Sequence, residues 1–280
     1  QNDVYAVTPA TPDETRRLHR GNPADPREIV SPGGVAALGA TSSDFELTIE
    51  ASDEVRRTKL ADWIADEKQP LFWRVIVNRL WHFHFGAGIV ETCNDFGFNG
   101  GRPSHPDLLD WMASELRRRG GRLKELHRLI LTSSAYRQSS FDDGDALRKD
   151  AGNRWLWRKS PRRMEAETLR DAMLAISGEL TVDFGGPGFE DFTTFNRNSQ
   201  FYEMLDPVGA SFQRRTLYRT WVRSGRSPFL DVFDCPDPST FTPQRAVTTT
   251  PLQALALLNS SFSLRMADRL AQRIRSKAGA

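Results

Sequence analysis

The residues with the most chemistry in this sequence fall within Asn78-Arg79-Leu80-Trp81-His82-Phe83-His84-Phe85-Gly86 and its continuation to His105. Neutral imidazoles together with a carboxylate suit zinc or iron, and His84, Asp95 and His105 are the candidate metal donors. Arg79 is the matching anion clamp. His82 and His84, two residues apart on one helix, point to different sides and cannot both chelate the same ion while that helix continues. With a metal, the trio would generate a nucleophilic water at neutral pH, the mechanism of a metal-assisted hydrolase. Without one, His105 at a helix start is a capping or packing residue.

Two further groups invite a chemical reading. Asp231, Asp234 and Asp237 recur every three residues within Phe229-Leu-Asp-Val-Phe-Asp-Cys-Pro-Asp-Pro238. Two of these carboxylates could share acid and base work on a glycosidic bond, or three could hold calcium. Asp before Pro also ends helices and opens turns. Between Arg214 and Arg226, arginines alternate with Tyr218 and Trp221. Arg215, Arg219, Trp221 and Arg223 are the candidate grip for a sulfated or carboxylated sugar, the guanidinium forks pairing the anion and the rings stacking.

The elements that would position these groups are mostly helical. The first 50 residues are broken by Asn22-Pro23, Asp25-Pro26 and Ser31-Pro32-Gly33-Gly34, and read as an extended strap without independent stability. Residues 51–280 read as a single, mainly α, irregular domain with long loops. Leu60, Trp63 and Ile64 mark a first helix ending before Pro70. Phe72 to Phe83 is apolar on two faces, the mark of a buried helix, with a stop at the Gly86/Gly88 pair. Ser104-x-x-Asp107 predicts a capping box for the next helix, and Leu123 to Ile130 a fourth. A fifth runs from Glu165 to a stop at Gly178. Thr250-Pro251 opens the last helical stretch, with a break at Asn259-Ser260-Ser261. From about 180 to 245 the periodicity is lost in an irregular insertion, except that residues 214–223 alternate as a small β element would, rich in β-preferring side chains, while Arg215, Arg219 and Arg223 also fit one helix stripe.

Composition sets the outer limits. The 280 residues carry 38 basic and 36 acidic side chains, a formal charge of +2, which argues against nucleic acid as a partner. Thirty-two of the basic residues are arginine, a bias that favours planar anions or reflects genome composition. Seven Trp, seventeen Phe and a mean hydropathy of −0.51 describe a globular chain, and no apolar run reaches the roughly 20 residues a transmembrane segment needs. The two cysteines exclude a four-cysteine zinc site, and neither lies in a C-x-x-C-H run, so covalent c-type haem is not expected here. They pair only in an oxidising compartment, and buried free thiols are the alternative. There is no G-x-S-x-G, P-loop, H-E-x-x-H or G-x-G-x-x-G motif. The sequence opens at Gln1 and without a signal peptide, as a mature form or a fragment would.

A series of short motifs, in order, adds a resemblance. They are Leu18-His-Arg-Gly-Asn-Pro23, Val77-Asn-Arg-Leu-Trp81, Phe85-Gly-Ala-Gly-Ile-Val90, Asn94-Asp-Phe-Gly97 and Ser104-His-Pro106 with Leu108-Leu-Asp-Trp111. Then come Ser134-Ala-Tyr-Arg-Gln-Ser139, Ser160-Pro-Arg-Arg163, Asp234-Cys-Pro-Asp-Pro238 and Thr249-Thr-Pro-Leu-Gln-Ala254 with Leu257-Leu-Asn259. Over nearly its whole length the chain resembles the planctomycete-specific domain of unknown function that forms the C-terminal module of exported proteins carrying planctomycete cytochrome-c-like domains. The resemblance supplies no catalytic residues. It implies an extracytoplasmic location, periplasmic or secreted, a c-type haem only in an upstream domain of the parent protein, and those upstream domains as partners. It also implies a link to polysaccharide. The expectation is a non-catalytic docking or glycan- or partner-binding module, with a metal-assisted hydrolase acting on carbohydrate derivatives as the alternative.

Overall fold

In the computed structural model, which describes residues 8–38 and 41–279, the chain is mainly α. The first residues of the expected strap and residues 39–40 lie outside the described residues. The chain divides into two compact units, residues 1–160 and 161–280.

Unit one begins with a short antiparallel hairpin of β1 (Arg16–Leu18) and β2 (Pro26–Ile29), exposed throughout. Five helices follow: α1 (Asp53–Ala65), α2 (Pro70–Phe85), α3 (Pro106–Arg118), α4 (Leu123–Thr132) and α5 (Gly144–Lys149). Trp63 of α1 packs beside Phe45, and its ring lies where a Cβ on Gly34 would stand, 2.6 Å from its Cε2, so only glycine lets the strap pass there. The core is built by α2, α3 and α4. Val77, Trp81 and Phe85 of α2 meet Leu109, Met112 and Leu116 of α3 and Leu126 and Ile130 of α4.

Although α2 is apolar nearly all round, it buries a single stripe, Val77, Asn78, Trp81 and Phe85, and leaves Phe83 53% exposed. It ends where expected, on Gly86 at φ 87°, whose amide donates to the carbonyl of His82. The capping box expected at Ser104 does not form. His105 is the N-cap residue and Pro106 the first helical residue, while the Ser104 hydroxyl turns to the carbonyl of Ile89, 3.3 Å away. The side chain expected to cap the helix instead closes the preceding loop onto Ile89, just past the end of α2.

Unit two contains α6 (Ala166–Ser177), a hairpin of β3 (Phe192–Asn196) and β4 (Gln200–Met204), α7 (Pro228–Val232), α8 (Pro251–Asn259) and α9 (Ser261–Ala278). Gly178 at φ 86° closes α6, and Thr250 with Gln253 forms a full capping box on α8. Ser260 breaks α8 from α9 and caps the latter through the amide of Ser263. Ala166, Leu230, Phe233 and Cys235 form the small core. On α8 the usual order is inverted: Gln253 is buried, whereas Leu252, Leu255 and Leu258 are exposed.

The alternation at 214–223 is not a continuous strand. Isolated bridges involve Arg214, Arg219 and Val222, and a one-turn 3-10 helix occupies Thr216–Tyr218. Asp171 explains the interruption: its carboxylate accepts from both the amide and the hydroxyl of Thr216, at 2.7 Å each, and pulls the backbone out of line. The paired strands lie just upstream instead, with Phe195 stacked on Phe201 across the hairpin. Among the described residues, no helix is long and apolar enough to cross a membrane.

Candidate binding site

The histidine-rich segment is dispersed by its elements. His84, in the last turn of α2, bonds through Nε2 to Nδ1 of His127 on α4 at 2.8 Å, with the Tyr136 ring set edge-on. Asp95 sits in a loop, where its Oδ1 accepts from the amide of Gly97 at 2.9 Å. His105 bonds through Nδ1 to Ser104 Oγ at 2.9 Å and meets the edge of Trp155. Among the described residues no three His, Cys, Asp or Glu side chains are gathered as metal donors, so His84, Asp95 and His105 do not converge. Arg79 is half-buried on α2, and its charge offsets part of the upward push that burial gives the Cys93 thiol. Both cysteines are buried and free.

Two of the three aspartates share one arginine, while the third ties a separate segment. Arg226 bridges Asp231 and Asp237, and Asp237 also accepts from the amide of Ser239. Asp234, at φ 63°, receives the amide and the hydroxyl of Thr248, both at 2.8 Å, and so clips the segment that leads into α8.

In the arginine-aromatic stretch, the arginines act mainly as fasteners. Arg214 lies over the Tyr218 ring at 3.9 Å and donates to the carbonyls of Gly185 and Pro187, fixing the glycine-rich loop. Arg215 pairs with Asp171 at 3.3 Å. Arg219 is buried, pairs with Asp191 at 2.8 Å and stacks beneath Trp221. Arg223 and Trp221 remain at the surface.

Unit two also holds a cavity of about 740 Å³ that sequence reasoning does not find. Phe189, Phe212, Phe229 and Phe262 supply its rings, with Met204 and Met266 beside them. Leu252, Leu255 and Val208 line it from exposed positions. Four separate chain segments bring the phenylalanines together, so no local period marks them. That size and that mixture of apolar wall with a few polar groups are typical of ligand sites.

The polar groups lining the cavity are arranged in opposite charges. Arg170 donates to the carbonyls of Phe212 (2.6 Å) and Arg214 (3.1 Å) and to Thr216 Oγ1 (3.2 Å), beneath the rings of Phe189 and Phe262. Burial holds its pKa below the usual arginine value, with Asp171 and Asp191 opposing that shift. Arg265 grips Asp206 with two bonds of 2.6 Å, and the pair holds the Asp206 carboxyl below its usual range. Arg269 approaches Glu179 at 3.4 Å. Asp191 Oδ1, by contrast, is shielded from solvent and has no hydrogen-bond partner among the described residues. An acceptor left in that state costs free energy until a donor reaches it.

A carboxylate kept ionised by a bidentate arginine is a poor general acid near neutral pH, and Asp206 is in that state. The matching charges suit a neutral molecule that has apolar faces and at least one hydroxyl.

The profile of the PSD1 family, proteins of unknown function (DUF1553), matches residues 56–279. The chain belongs to that family. No curated protein matches it, and no solved structure does. The PSD1 match takes in both the helical core of unit one and all but the last residue of unit two, with its cavity.

Proposed function

We propose that this PSD1 chain is a non-catalytic binding module that receives a neutral glycan segment in the cavity of unit two. The observation that carries the reading is the cavity itself: four phenylalanine rings in a lining that also holds Asp191, whose Oδ1 has no hydrogen-bond partner among the described residues. The carbon faces of a sugar ring pack against aromatic side chains, and one of its hydroxyls supplies the missing donor. The near balance of arginines and carboxylates around the cavity favours neutral over sulfated sugars. With Arg219 buried against Asp191, the 214–223 stretch is left with a weaker anion grip than its composition promised.

The module is extracytoplasmic, periplasmic or secreted, and belongs to a planctomycete protein whose upstream domains, one of them carrying a c-type haem, are its partners. The ordered sequence motifs, from Leu18-His-Arg-Gly-Asn-Pro23 to Leu257-Leu-Asn259, support this part of the reading.

Calorimetric titration with neutral and sulfated oligosaccharides tests the glycan site. Saturable binding of a neutral oligosaccharide, weakened about tenfold or more in Phe212→Ala and Asp191→Asn, is the expected result. Absence of binding to every neutral polymer tried, or equal binding by both variants, would remove it.

A further inference from the structure

A second cavity, of about 230 Å³, lies within unit one and is lined by Phe85 at the end of α2, His105 at the start of α3 and Leu156 in the loop before Ser160. Three features set it apart from a packing gap.

The first is the state of His105. His105 bonds through Nδ1 to Ser104 Oγ at 2.9 Å, and in the tautomer that donates along that bond Nε2 is a lone-pair acceptor. The second is charge. Glu91 and Arg154 line the same cavity, and neither has an ion pair among the described residues; Arg154 makes one long bond, 3.4 Å, to the carbonyl of Arg102. The third is backbone strain. Asn153 (φ 50°) and Leu156 (φ 57°) both occupy the left-handed region. The Asp150 carboxylate enforces this shape by accepting from the amides of Arg154 and Trp155, and Asn153 adds bonds to Arg158 and Ser160. Strain fixed by that many bonds is concentrated at ligand sites.

Opposite unpaired charges on one small cavity, with an imidazole acceptor and an apolar wall, match a zwitterion. We propose that this cavity binds a free α-amino acid with an apolar side chain. Arg154 takes the carboxylate, Glu91 and His105 Nε2 take the ammonium, and the side chain lies against Phe85 and Leu156. The site is separate from the glycan cavity and does not depend on it.

Isothermal titration of the whole chain with L-leucine, 4-methylpentanoate and 3-methylbutylamine tests the assignment. The two analogues lack the ammonium and the carboxylate, respectively. L-leucine is expected to bind saturably at one site, and each analogue at least about tenfold more weakly, the effect of losing one charged hydrogen-bonding group. Arg154→Gln and Glu91→Gln, both at exposed positions, should weaken L-leucine by a similar factor. No saturable binding of L-leucine, equal binding of either analogue, or full affinity in both charge variants would overturn the proposal.

Discussion

Arg219 and Asp191 form a largely buried ion pair: the arginine side chain is 1% exposed, the aspartate side chain 15%, and Arg219 Nε lies 2.8 Å from Asp191 Oδ2. The pair joins the bridge at Phe189 and Arg219 to the start of β3. Removing one charge leaves the other buried alone, which costs about 3–5 kcal/mol. Asp191→Leu should therefore lower the urea midpoint sharply. Adding Arg219→Met should restore much of the loss, since a buried pair is itself of little net value against apolar replacements. A double variant no more stable than Asp191→Leu would show that the two residues are not coupled.

Asn78 predicts a comparable effect in unit one. Fully buried on α2, it accepts from the amide of Val90 at 2.8 Å and donates to the same residue's carbonyl at 2.9 Å, holding the post-helix loop as a neighbouring strand would. Asn78→Ala strands both backbone groups and should cost about 2–4 kcal/mol in chemical denaturation. A loss under 1 kcal/mol would mean that the loop closes without this clamp. Gly88 belongs to the same feature, because a Cβ there would lie 2.3 Å from the Val90 carbonyl oxygen. Gly88→Ala should be destabilising for that reason.

Acid should weaken unit one through Glu115. Hydrogen bonds from Arg118 and then Arg119 hold its carboxyl down at about 2, against an ordinary value of 4.5. A group depressed in the folded state contributes stability above its unfolded pKa and loses it as pH falls through the folded value. The contribution should be complete above about pH 4.5 and gone near pH 2. Glu125 shifts in the same direction through Arg119. Carbon-detected NMR titration of the Glu115 carboxyl checks this; a midpoint near 4.5 would dismiss the arginine clamp.

The thiols give a chemical test. Burial, followed by the negative charge of Glu167, pushes Cys235 up to about 12, and burial also raises Cys93. Thiolate is the reactive form, so neither cysteine should react with an aromatic disulfide reagent at pH 8 in the native protein. Both should react once the chain is unfolded in denaturant. Rapid native labelling of either would contradict the burial of both thiols.

Much of the helical framework is legible in the residues. Gly86, Gly178 and Thr250-Pro251 mark helix ends because each solves a local backbone problem, and Ser260 divides α8 from α9 as its position suggests. The β3–β4 hairpin was also within reach, since Phe192-Thr-Thr-Phe195 and Phe201-Tyr202 flank the turn-forming Asn196-Arg-Asn-Ser199. What sequence reasoning cannot reach is set by tertiary partners. Thr216 leaves the extended state for Asp171, Ser104 abandons its helix for Ile89, and Arg219 is drawn inside by Asp191. The cavity of unit two is illegible for the same reason, because its four phenylalanines share a place and no period.

The clamp between Asn78 and Val90 makes one amide an internal clock. Within a helix, an amide reports on the breathing of its own turn, but the Val90 N–H is held by a side chain twelve positions upstream. Its deuterium uptake should follow the parting of the loop from α2, not the fraying of any helix. The slowness of that single proton would time how often unit one opens at the end of its most buried helix.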